Sequence, residues 1–206
     1  IRDAFLRAVE LKPDDIGSRE NLIDFYLEAP GIMGGSTAKA REQAVEIGKY
    51  DAVAGVANAA RVAQAEDGPE AALAVLEAGI DAHPNEAQLY VSAAMTAQRL
   101  ENWDRSVELL TRAVERNPDA WGAVYQIGRA AAISGDNLDR GADALRRFIA
   151  EAPDDTGYPK DAPHVGLAQI YAHLDEPANA ARHYEAALAA NPDNKEAKQG
   201  LKSVAR

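Results

Sequence analysis

The 206-residue sequence has no cysteine, which excludes disulfides, thiol catalysis and thiolate metal sites and leaves either side of a bacterial inner membrane open. It has no long apolar run either. Its Ala-rich stretches are broken by Arg, Asp or Glu within a few residues, far short of the ~20 apolar residues a spanning helix needs. Basic charge is also scarce: 33 acidic against 22 basic side chains leave a net charge of −11. Nucleic acid and anionic membrane surfaces are therefore not expected as partners, because both demand a basic footprint. Aromatic residues make up 6% of the chain, yet 47% of it is hydrophobic, which rules out wholesale disorder. The chain does not begin with Met, and Ile1 already falls inside a helical pattern, so further sequence is expected upstream and a missing signal peptide decides nothing.

What is present is a repeat. Three segments end alike, "LEAGIDAHPNE" (76–86), "LTRAVERNPDA" (110–120) and "YEAALAANPDN" (184–194), each an apolar run closing on Pro followed by Asn or Asp. Pro84 and Pro118 lie 34 residues apart, Pro118 and Pro153 lie 35, and Pro153 and Pro192 lie 39. One extra residue in "SGDNLDRG" and an insertion, "TGYPK" (156–160), account for the two slips. Small residues recur at Ala60, Ala94, Gly128 and Ala168 in a first helix and at Ala72, Ser106, Gly141 and Ala180 in a second. Large residues follow the latter at Leu76, Leu110, Leu145 and Tyr184. Small side chains let paired helices approach closely, and large ones fill the groove between pairs.

With Leu167, Ala168, Tyr171, Ala180, Tyr184, Ala187 and Pro192 at its signature spacing, the segment 164–194 resembles a tetratricopeptide repeat, and the resemblance extends over nearly all of the chain. It implies an all-α, right-handed superhelix of antiparallel helix pairs, about four and a half repeats with a C-terminal cap, forming a single solenoid over 1–206. The expected parts are a second helix of a truncated repeat (1–13), a repeat with an enlarged turn (14–52), repeats at 53–86, 87–120 and 121–155, the insertion 156–160, a repeat at 161–194 and a capping helix at 195–206. In the cap, Leu201 and Val204 should cover the last repeat while Lys195, Lys198 and Lys202 face water. Phe148 stands where the family prefers a small residue, which leaves its local packing open.

Four local patterns bear on chemistry within this frame. The turn "PGIMGGS" (30–36) lacks the preceding strand and the Gly-Lys-Ser/Thr ending of a phosphate loop, although Ser36 or Thr37 can cap the next helix and leave N–H groups for an anion. "DNLDRG" (136–141) would put Leu138 and Arg140 at calcium-ligand positions, which excludes it. The four histidines, His83, His164, His173 and His183, lack the i,i+4 spacing of a helical metal site, though His173 and His183 lie on two helices of one repeat and can approach. Acid pairs Asp14–Asp15 and Asp154–Asp155 follow prolines and read as helix caps rather than as converging general acids. No enzyme, cofactor or metal is therefore expected.

The resemblance implies instead a concave face built from first helices. In the family's register that face carries Glu20, Asp24, Leu27 and Glu28, then Ala57, Arg61 and Gln64, then Gln88, Val91, Met95, Gln98 and Arg99, then Tyr125, Arg129 and Ile133, and last Val165, Gln169 and His173. Arg61, Arg99 and Arg129 would form a cationic stripe or be solvated beside nearby carboxylates. Ala57 and Gly122 stand where chaperone-tail-binding members have Lys, so that ligand is not expected. The expected function is a non-catalytic scaffold holding a partner protein or peptide in the groove. The alternative is a carrier whose Ala57, Val91, Met95, Tyr125, Ile133 and Val165 enclose a lipid or another apolar small molecule. The enlarged turn resembles one in exported bacterial repeat proteins, which implies a periplasmic location.

Overall fold

In the computed structural model, which describes residues 2–204, the regular structure consists of twelve α-helices and one 3-10 turn. Ile1 and residues 205–206 of the two expected terminal helices lie outside the described residues. The chain divides into two compact units, Ile1–Leu100 and Glu101–Arg206. The first holds α1 (Arg2–Leu11), α2 (Ile16–Glu28), the 3-10 turn (Gly31–Met33), α3 (Thr37–Gly48), α4 (Ala52–Asp67), α5 (Pro69–Ala82) and α6 (Ala87–Arg99). The second holds α7 (Trp103–Arg116), α8 (Trp121–Ser134), α9 (Leu138–Glu151), α10 (Ala162–His173), α11 (Pro177–Ala190) and α12 (Lys195–Val204). The division falls in the turn between α6 and α7, inside the segment 87–120 expected to be one repeat.

Within each unit, sequential helices pack side by side, and first helices of successive pairs also meet: α2 with α4, α4 with α6, α8 with α10, and α10 with α12. Starts are set by capping. Asp15, Asp51, Asn102 and Asn194 each accept a backbone N–H three residues ahead, satisfying donors that a helix leaves orphaned. Pro69 and Pro177 occupy the first turn of α5 and α11, where a missing N–H costs nothing. Asp154 and Asp155 do not cap α10, because the insertion delays that helix until Asp161 stands at its N-cap, and Asp154 instead pairs with Lys160 at 2.9 Å.

The repeat columns are the core. All four small residues of the first-helix column, all four of the second and the large residues that follow them are buried. A β-carbon on Gly128 would lie 2.1 Å from Leu145 Cγ, and one on Gly141 would lie 2.3 Å from Ala131 Cβ, so α8 and α9 approach as closely as backbone allows. In the first unit a β-carbon on Gly79 would meet Val56 at 2.4 Å. The cap is keyed in the same way: Ala197 is fully buried, Leu201 and Val204 pack on the α10–α11 core, and Gly200 lies against the Tyr184 ring. Lys195, Lys198 and Lys202 are exposed, as expected.

These contacts oppose helix propensity in a measurable way. Alanine in place of a mid-helix glycine gains about 1 kcal/mol of propensity, whereas overpacking a core costs about 1–3 kcal/mol. Gly128→Ala is therefore expected to lower the urea midpoint. Gly122→Ala on the same helix, where a β-carbon would only touch the Tyr158 hydroxyl at 3.4 Å, should leave it unchanged or raise it. Equal midpoints for the two variants would show that the α8–α9 approach is not limiting.

Candidate functional site

In the second unit, α8, α10 and α12 surround an open recess of about 230 Å³. Tyr125, Arg129 and Ile133 stand one turn apart along α8, which places all three on one face of that helix. Val165 and Gln169 are spaced likewise on α10, and Asn194 and Glu196 enter from the start of α12. Gln169 Nε2 donates to Glu196 Oε1 at 2.6 Å. Burial pushes the Tyr125 phenol pKa up, against the opposing pull of the Arg129 charge, so the ring stays neutral at ordinary pH. The site thus offers an apolar wall, one cation, one carboxylate and the Gln169 carbonyl oxygen, whereas Asn194 is bonded at both ends of its amide, to Asp161 and to the Ala197 N–H.

Asn194 and Glu196 were absent from the groove expected on sequence. They enter because the cap continues the column of first helices, and the signal was the repeat-like "NPDNKE" ahead of α12. His173 lies apart from the recess, its Nε2 3.0 Å from the Ala132 carbonyl oxygen. Below the recess, Asp161 is buried and accepts the Nδ2 groups of Asn191 and Asn194 at 2.8 and 2.7 Å. Burial pushes its carboxyl pKa up, but the two amides and a backbone hydrogen bond outweigh that and the net shift is downward. The Asn that closes the repeat is therefore tied to the residue that opens it.

In the first unit the expected groove residues Arg61 and Gln64 lie on α4, and Val91, Met95, Gln98 and Arg99 lie on α6. Arg61 forms an ion pair with Asp24 of α2 and donates to Asn58 Oδ1 at 3.0 Å. Asn58, buried, bonds Glu20 Oε1 at 3.2 Å and the Ala54 carbonyl at 3.0 Å, so one amide couples α2 to α4. Arg61 is thus engaged with a carboxylate rather than forming an unpaired stripe. Arg99 donates to Thr96 Oγ1 at 3.0 Å, Gln64 is exposed, and Met95 is 46% exposed.

The enlarged turn is ordered by its own backbone. Ser36 N–H donates to the Tyr26 carbonyl at 2.8 Å, and Gly35 N–H to that of Pro30 at 3.2 Å. A β-carbon on Gly35 would lie 1.8 Å from the Ala29 oxygen, so only glycine fits there. Ser36 Oγ caps α3 through Lys39 N–H at 3.3 Å. The Glu66 carboxylate takes the hydrogen bond of Thr37 and the ion pair of Arg41, which holds its pKa down and puts a protein anion beside the start of α3.

His183 meets His164 rather than His173: the two Nδ1 atoms are 3.3 Å apart, with Tyr171 stacked on His183 at 5.4 Å and 12°. Arg146 donates to the Tyr171 hydroxyl at 3.1 Å. In such a pair one ring donates and the other accepts, so a second proton breaks it. Among the described residues no group of three or more His, Asp or Glu side chains is gathered for a metal ion, and no helix is long and apolar enough to cross a membrane. Burial lowers the pKa of both histidines, and the charges of His164, Arg182 and Arg146 lower that of His183 further. The unfolded chain then binds protons first: the contribution to stability is complete above pH 6.5 and declines as pH falls below it. Thermal denaturation at pH 7.5 and 5.5 should show this loss, and His183→Phe, which keeps the stack on Tyr171, should lose less. An equal loss in the variant would place the acid sensitivity elsewhere.

Sequence profiles of the tetratricopeptide repeat match residues 91–156 and 164–194. No curated protein sequence matches the chain. Among solved structures, YrrB, a TPR protein with an unusual peptide-binding site, is similar at 19% identity and a TM-score of 0.64 over 98% of this chain and 100% of its own. MamA 41-end from Desulfovibrio magneticus RS-1 is similar at 15% identity and a TM-score of 0.60, over 88% of this chain and 98% of its own. The APC/C hetero-tetramer Cut9-Hcn1 supplies a third likeness, at 15% identity and a TM-score of 0.66, over 100% of this chain and 39% of that one. At these identities the likeness concerns the fold.

Proposed function

For a chain that belongs to the tetratricopeptide repeat family, we propose a non-catalytic role in which the recess of the second unit grips a short extended segment of a partner protein. The observation that carries this reading is the convergence of Tyr125, Ile133 and Val165 with Arg129, Gln169, Asn194 and Glu196 in one open recess of about 230 Å³. One apolar side chain of the segment enters between Tyr125, Ile133 and Val165, while Gln169 Oε1, whose amide is oriented by its Nε2 bond to Glu196, accepts from its main chain. Arg129 and Glu196 at the rim select charge on the flanking residues. The peptide-binding site of YrrB is a precedent on the same fold for use of this kind.

The apolar carrier draws less support. Sites that enclose a drug-sized molecule run to about 300–1,000 Å³ with few polar groups, whereas this recess is smaller, open and bordered by four polar or charged side chains.

The test is selection of peptides from a random display library on the whole protein, followed by calorimetry with the selected sequences. Ile133→Asp is expected to weaken them by about 30-fold, the scale of a hot-spot residue. Met95→Asp, on the first unit, should change affinity less than twofold. Failure to enrich any peptide, or equal binding by Ile133→Asp, would overturn the proposal.

A further inference from the structure

The insertion 156–160 lies outside the repeat pattern, yet it is built against the second unit's candidate site. Lys160 at its end pairs with Asp154, two residues before its start, at 2.9 Å. Gly157 takes the left-handed conformation at φ +80°, and the Tyr158 N–H donates to Thr156 Oγ1 at 3.4 Å. This bend delivers the Tyr158 ring onto α8, where its centroid is 4.2 Å from that of Tyr125 and its hydroxyl lies over Gly122.

Tyr125 is held from a second direction by α9. Phe148, buried, lies 5.5 Å from Tyr125 and 5.8 Å from Tyr158, edge-on to the latter at 86°. Phe148 also meets Trp121 at 6.3 Å. The large residue at a position where a small one was expected is therefore accommodated by the insertion, whose tyrosine closes over it. Tyr125 borders the recess, whereas Tyr158 does not line it.

We propose that Tyr158 is a positioning residue for the recess: its ring fixes the Tyr125 side chain as the wall against which the partner segment packs. The inference rests on the peptide-binding reading above. The physical ground is rotameric. A tyrosine on a helix has more than one staggered χ1 well, and a ring centred 4.2 Å from that of Tyr125, tilted at 36°, occupies space on that side of it. A wall held in place before binding spares the complex the ordering cost of that side chain, so Tyr158 acts on affinity without touching the occupant. Phe148 contacts Tyr125 from α9 at a longer centroid distance, 5.5 Å against the 4.2 Å of Tyr158.

The experiment uses the whole chain with 3-fluorotyrosine at position 125, read by fluorine NMR, together with a peptide enriched on the wild-type protein. Tyr158→Ala should split or broaden the fluorine resonance, beyond the single displacement that loss of the neighbouring ring current gives, and weaken the peptide by about tenfold. Tyr158→Phe keeps the ring and should preserve both readings. Lys160→Ala, which frees the end of the loop but keeps the ring, should fall between them and guards against a Tyr158→Ala variant that unfolds. A single sharp resonance in Tyr158→Ala, merely displaced, overturns the positioning role whatever the peptide does. A split or broadened resonance with unchanged affinity overturns its bearing on the recess. If no peptide is enriched, the peptide-binding reading fails, and the fluorine signal still decides whether Tyr158 holds Tyr125.

Discussion

The close approach of paired helices at their small residues is the constraint on which the rest of the structure depends. Where Gly128 faces Leu145 and Gly141 faces Ala131, there is no room for one more carbon. That spacing brings the following large residues into the grooves of the next pair, and it carries the first helices close enough to share side-chain contacts. The recess between α8, α10 and α12 exists because these backbones are fixed. A looser pairing would leave Tyr125, Val165 and Glu196 without a common neighbourhood.

Polar residues are used sparingly inside this frame, and two of the buried ones join elements. Asn58 ties α2 to α4 through Glu20 and Arg61, and Asp161 ties the start of α10 to the turn before α12 through Asn191 and Asn194. A buried charge without partners would be costly, and against burial the two amides and a backbone hydrogen bond hold the Asp161 carboxyl pKa down. Both devices join elements that the apolar columns already juxtapose, so they fix geometry more than they supply cohesion. The exposed ion pair of Arg61 and Asp24 belongs to a class that contributes little to stability, under about 1 kcal/mol.

Much of this architecture was legible in the amino-acid order because periodicity reports packing directly: every residue assigned to the small and large columns is buried. The packing of helices in consecutive pairs also follows from the sequence. The side-chain partnerships do not. His183 meets His164 rather than His173, and Asp154 meets Lys160 rather than capping α10, because each depends on where a loop delivers a helix start. The candidate recess was half legible. Tyr125, Arg129, Ile133 and Gln169 lie in it by register, whereas Asn194 and Glu196 belong to a segment read as a cap, and Tyr158 to an insertion that a repeat pattern treats as an interruption.

Contacts in each unit join helices that are neighbours in sequence or one repeat apart, and even the bond from His173 to Ala132 spans only 41 residues. Little chain entropy is lost before such contacts form, so folding can begin in any helix pair and spread by addition. An injury to one pair raises the free energy of its neighbours and leaves distant pairs intact. A substitution is therefore felt first by the helices packed against its own pair, so the cost of a change is set locally rather than by the whole chain.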